Sequence, residues 1–177
     1  DSDLTGMELE SFSIENSDTK GSGMSGSIVN QISIDNLKTK FGIIETTANV
    51  IMIRNSPLEK MGPSGGRIEN ISIEDCKQTN QVLFFQSQVG NLKLSNCHIV
   101  DLISIEAKIR KMEISNSTIN GGKFEDATIQ ELFLNNVILK GKIDFTNAKI
   151  SSINKTNVTK DKDLELILTG TDLSGRL

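Results

Sequence analysis

Large apolar side chains recur at every fifth position through the middle of this chain. They are Leu94, Ile99, Ile109, Ile114, Ile119, Phe124, Ile129, Leu134 and Leu139, and only Ser104 breaks the series. Two places before each stands an apolar or small residue: Leu92, Cys97, Leu102, Ala107, Met112, Ser117, Gly122, Ala127, Leu132 and Val137. A helix repeats every 3.6 residues and a strand every 2, so neither sustains a five-residue beat by itself. A slower beat runs through it as apolar, any, apolar, any, Asn. It starts at Phe12, Ile32, Ile51, Ile71, Leu92, Met112, Leu132 and Ile153, with intervals of 20, 19, 20, 21, 20, 20 and 21 residues. Asp75 replaces the Asn once, and Lys155 replaces the second apolar residue once.

Self-similarity at that period marks a solenoid, whose repeats bury their inner faces by stacking on one another. Four five-residue sides per coil account for both beats. A bulky residue sits at the centre of each side and a small one two places earlier, both pointing inward. The Asn then falls at a corner, where tolerance of left-handed backbone and side-chain bonding to nearby backbone are useful. Its amide can stack on the Asn one coil away to form a ladder. The expected fold class is all-β: a four-sided parallel β-helix of about eight coils, roughly 4.8 Å each, making a rod of about 40 Å. Residues 1–177 are expected to form one solenoid domain.

Two stretches are weaker. Residues 17–31 and 54–70 collect Gly21, Gly23, Gly26, Pro57, Pro63, Gly65 and Gly66, and predict looser sides or small loops. From Phe145 the register slips by one, and Lys160-Asp161-Lys162-Asp163 predicts an exposed turn. The beat is already running at Leu4 and persists to Leu173, which suggests a segment of a longer protein.

Composition fits a narrow core. Hydrophobic content is 36%, and Tyr and Trp are absent, so no large aromatic recognition platform is expected. Net charge is −4, from 19 basic and 23 acidic residues, which gives no pull toward nucleic acid. No apolar run reaches the length of a membrane-spanning helix.

Candidate chemistry is sparse. Cys76 and Cys97 hold the same slot in consecutive coils, where Ser17, Ser56 and Ser117 stand in others. A small inward residue, and hence buried free thiols, is the expectation, with a disulfide as the alternative. One His and two Cys are too few for zinc, so no metal or cofactor is expected. Alternation turns His98 away from Cys97, against a nucleophile–base pair. Glu15, Asp35 and Glu74 form an outward column broken by Arg54, expected to be a solvated ladder of mixed sign. Arg67, Lys108 and Lys149 stack on one side and Lys38 and Lys77 on another, read as solubilising edges. Four Asn-X-Ser/Thr sequences match glycan acceptors, but Asn is abundant and two of the four are ladder residues.

The third side of the coil, counting from the Asn motif, is more informative. Ile103 and Ile105 should face outward around an inward Ser104. Ile43 beside Ile44, Phe84 beside Phe85, and Ile143 with Phe145 offer more apolar groups than one interior side can take. Either a local slip turns them inward, or Ile43, Phe84, Ile103, Ile105, Ile143 and Phe145 form an apolar stripe that docks a partner.

With its large central residue, small residue two before and four-sided coil, the chain resembles the pentapeptide-repeat family. Ser2-Asp3-Leu4-Thr5-Gly6 and Thr171-Asp172-Leu173-Ser174-Gly175 are nearest to that family's wording. Leu92, Leu102, Met112 and Leu132 depart from it where Ala is usual. The resemblance implies a right-handed β-helix. Some family members resemble duplex DNA and protect type II topoisomerases, and others are modules of bacterial effectors. Asn70-Ile-Ser-Ile-Glu-Asp-Cys76 also resembles coils of three-sided pectate-lyase-like helices, although those coils usually exceed twenty residues.

The functional expectation is a non-enzymatic scaffold or protein-binding module of a larger bacterial protein, cytoplasmic or secreted. Its partner would be another protein or domain, or a second copy, and neither nucleic acid nor membrane. The rival readings are a topoisomerase-protecting DNA mimic and a polysaccharide-active β-helix fragment, and no residue is assigned a catalytic role.

Overall fold

A computed structural model describes residues 3–19, 22–62 and 65–173, and among these there is no helix. The chain winds into a parallel β-solenoid of about eight coils of about twenty residues. Strands Glu8–Glu15, Ile28–Asp35, Thr47–Arg54, Arg67–Glu74 and Gln88–Ser95 stack in one ladder. Asp3–Thr5, Gly23–Ser25, Phe41–Ile44, Leu58–Gly62, Thr79–Leu83 and His98–Ile103 stack in a second. The long strand Lys108–Lys123 pairs with both ladders, and Thr128–Asp144 continues them.

Inward side chains fall where the five-residue beat puts them. On the first side Ile32, Ile51, Ile71, Leu92, Met112 and Leu132 lie in register, one above the next, and all are buried. The parallel column Ile34, Ile53, Ile73, Leu94, Ile114 and Leu134 is buried too. Each coil thus supplies one floor of a single continuous core, and no floor is complete without its neighbours.

The corners explain the Asn. Asn16, Asn36, Asn55, Asp75, Asn96, Asn116, Asn136 and Asn157 all adopt positive φ, between 46° and 57°. That region excludes most side chains but tolerates Asn and Asp. Side-chain ladder bonds join consecutive coils: Asn36 Nδ2 donates to Asn16 Oδ1 (2.6 Å), Asn136 to Asn116 (3.0 Å) and Asn157 to Asn136 (2.9 Å). Asn96 donates likewise to Asp75 (3.0 Å), whereas Asn55 turns instead to Asp35 (3.1 Å).

A second series of left-handed corners lies ten residues out of phase, at Gly6, Gly26, Glu45, Gly65, Gln86, Glu106, Asp126, Asn147 and Gly170. Each coil therefore turns sharply twice, after its first and third sides. At the other two bends the strand runs on, as in Gln88–Ser95, which covers the fourth side of one coil and the first of the next.

Each weak stretch holds an irregularity but also a strand: Ser17–Thr19 leaves the strand conformation before Gly23–Ser25, and an extra residue enters between Leu58 and Met61, which pair with Phe41 and Ile43. Leu37–Lys40, outside both stretches, also leaves the strand conformation. Lys20, Gly21, Pro63 and Ser64 lie outside the described residues. One extra residue enters near Gly141, so that Gly122 pairs with Ile143 and Lys123 with Asp144. The Asp161–Asp163 segment is a turn, with the Asp163 backbone N–H donating to Asp161 Oδ1 (3.2 Å).

Candidate functional site

Cys76 and Cys97 occupy the slot that follows a sharp corner, and in many coils a repeated side-chain-to-backbone bond is made from it. Ser17, Ser56 and Ser117 donate their hydroxyls to the carbonyl two residues back, at 2.7, 2.6 and 2.7 Å. Cys76 and Cys97 do the same with their thiols, at 3.3 and 3.2 Å. After the other corner series Ser27, Thr46 and Ser87 repeat it at 3.1, 3.0 and 3.1 Å. Several of these hydroxyls also accept a backbone N–H from the adjacent coil: Leu37 N–H to Ser56, and Cys97 N–H to Ser117. Where the slot holds Ser, Thr or Cys the side chain ties the corner to its neighbour, whereas Leu37, Val137, Ala107, Ala127 and Ala148 fill the same slot as buried apolar residues. The signal for that tie is present in the sequence as a Ser, Thr or Cys after the corner residue.

Both cysteines are buried free thiols. Hydrogen bonding to the Cys97 sulfur, with burial second, pushes the Cys76 thiol far above its ordinary value, so it stays protonated. His98 is exposed at the start of its strand while Cys97 points into the core, so the two do not form a catalytic pair.

The first-side column is an ion-pair ladder. Arg54 Nε lies 3.2 Å from Glu74 and Lys93 Nζ lies 2.8 Å from the other oxygen of the same carboxylate. Hydrogen bonds from Lys93 and Ser72 hold Glu74 below the usual glutamate range. A general acid at neutral pH needs the opposite shift. Among the described residues no group of three or more His, Cys, Asp or Glu is placed to hold a metal ion.

The third side divides the six expected stripe residues. Ile43 and Phe84 are fully buried, and Ile143 and Phe145 are 2% and 5% exposed. These four are core, which corrects the expectation that they line a docking surface. Two local slips are responsible in part. The coil is one residue short between Asn36 and Gly42, so that Ile43 rather than Ile44 lies in register with buried Met24, and the extra residue near Gly141 sets Ile143 and Phe145 on the inner face. Phe84 needs no slip: it stands at the centre of its side, and Phe85 faces out, 36% exposed. Phe145 stacks on Phe124 with ring centroids 4.7 Å apart.

Ile103 and Ile105 do face outward, half-buried, on either side of inward Ser104. Half-buried Leu83 lies in register beside Ile103, and Phe85 lies beside Ile105 on the same neighbouring coil. Half-buried Ile44 lies on the same side of an earlier coil. The row ends where Lys123 replaces Ile103 one coil further on, with Glu125 close by. Ser104 itself is fully buried, and its hydroxyl lacks a hydrogen-bond partner.

Comparison with protein-family models, with curated proteins and with solved structures finds no match to this chain, so its architecture of stacked parallel coils stands on its own residues.

Proposed function

We propose that this chain is a non-enzymatic scaffold of the pentapeptide-repeat type that binds another protein or domain, or a second copy of itself, through the third side of its coils. The observation that carries this reading is the outward apolar row Leu83, Phe85, Ile103 and Ile105, which spans two consecutive coils and is bounded by charge at Lys123 and Glu125. Apolar residues scattered singly on a surface need no explanation, but a contiguous row in register does. The backbone beneath it is already paired between coils, so the row is held rigid and binding costs little ordering. The ion-paired, mixed-sign first side weighs against a DNA mimic, which needs a broad and uniformly negative face.

The test is Ile103→Glu with Ile105→Glu, followed by sedimentation of the purified chain and by capture of partners on immobilised chain. Because both side chains face outward, the variant should keep the parent's cooperative melt while losing self-association or the captured partner. A variant that unfolds would place these residues in the core and remove the surface. A folded variant that still associates would move the interface elsewhere.

A further inference from the structure

The fourth side carries a feature that docking through the third side does not use. Its outward positions Arg67, Gln88, Lys108, Thr128 and Lys149 lie in unbroken register on five consecutive coils. Cations thus recur on every second coil, about 9.6 Å apart at the spacing of paired strands, with a neutral hydrogen-bonding side chain between each pair. No carboxylate stands among those five positions, on a chain whose net charge is −4, and the row ends at Asp172, which pairs in register with Lys149.

Beside the row the surface is hollowed. Arg67, Gln88, Lys108, Arg110 and Gln130, with the single carboxylate of Glu69, are among the side chains lining an open depression of about 340 Å³. Gly90 is part of its floor, and a Cβ there would collide with the Glu69 carbonyl oxygen of the adjacent coil. Across the glycine, Glu69 reaches Arg110 two coils away at 3.0 Å, which fixes the guanidinium at the edge of the hollow. That ion pair engages the Glu69 carboxylate with Arg110 rather than with Arg67 or Lys108.

We infer that this row is a binding track for an acidic linear polysaccharide, one bearing sulfate or carboxylate groups along its length. A straight line of cations on a rigid lattice matches a linear polyanion whose charges recur regularly, and the alternating Gln and Thr suit hydroxyls lying between those charges. No aromatic ring stands in the row, so it offers no platform for stacking bases, which favours a glycan over single-stranded nucleic acid. Nor does the row contain an apolar anchor of the kind a peptide would need. The hollow is open rather than enclosed, as a ligand that runs on past it requires.

The test uses fluorescence anisotropy with a dye-labelled sulfated octasaccharide, beside octaglutamate and an eight-nucleotide single strand of similar charge. The octasaccharide should bind most tightly, and more weakly as salt rises. Arg67→Ser/Lys108→Ser/Lys149→Ser should weaken it at least tenfold with no change in melting, because all three side chains are exposed. The control Lys38→Ser/Lys77→Ser/Lys162→Ser removes the same charge elsewhere and should leave binding within twofold. Absence of octasaccharide binding, equal loss in the control, or tighter binding of the peptide or oligonucleotide would each overturn the assignment.

Discussion

Leu134 and Lys155 hold the same slot in adjacent coils, paired in register, yet one is 4% exposed and the other lies in solvent. Leu139 and Lys160 repeat the contrast on the next side. Around Leu134 a coil packs on each face, so any side chain entering the slot is enclosed. Around Lys155 the described chain supplies a full coil on one face only, and the long side chain can carry its ammonium outward. Partial exposure of Ile153, Val158, Leu164 and Leu166 in the same coil follows from the same cause. The inward position is therefore not intrinsically apolar. Stacking from both sides makes it so.

Moving the charge inward by one coil should have the largest effect. Leu134→Lys buries an ammonium without a partner and should cost more than about 4 kcal/mol, enough to abolish a cooperative melt. A folded, cooperatively melting variant would show that the interior slot has room to reach solvent.

Truncating the ladder corner should follow the same gradient at smaller amplitude. Asn116→Ala places a residue with no bonding side chain at φ 49° and removes the acceptor of Asn136. A loss of about 1–2 kcal/mol is expected from denaturant titration. Asn157→Ala, at the edge, should lose less. Equal losses at the two sites would mean the ladder contributes without regard to stacking.

Ser104 tests the interior from the other direction. Removing its unpartnered hydroxyl in Ser104→Ala should raise stability by about 1 kcal/mol, read as a higher denaturant midpoint with unchanged slope. Destabilisation would show that the hydroxyl is satisfied in solution. The smallest change belongs to the edge. Lys155→Leu should alter stability by less than about 0.5 kcal/mol while increasing self-association of this chain by sedimentation, because an exposed charge is exchanged for an exposed apolar side chain.

Most of the coil is legible in the sequence. Asn recurring every twenty residues fixed the first series of corners, since few other residues tolerate that backbone. The fivefold beat identifies the core residues between Leu92 and Leu139, and a one-residue slip shifts them to Ile143, Phe145, Ala148 and Ile150 beyond it. The second corner series was harder to see because it admits Glu45, Gln86 and Glu106 as well as Gly and Asn, so no single residue type marks it. The third side misled for a related reason. Where adjacent apolar pairs such as Ile43–Ile44 occur, hydrophobicity cannot say which member points inward, and a one-residue shift in register decides it. The fourth-side hollow was invisible because it depends on Glu69 and Arg110, 41 residues apart in sequence, meeting across it.

The central claim is that residues about twenty apart lie directly above one another along one straight edge. Pulsed dipolar distances measure it directly, with both cysteines changed to Ser, the residue other coils carry in that slot. One spin label is fixed at Thr156 and a second is placed in turn at Ser95, Asp35 and Glu15, three, six and seven coils away. The distances should rise in proportion to coil count, near 14, 29 and 34 Å at about 4.8 Å per coil. Distances that level off, or that fail to follow coil count, would contradict the stacked-coil account.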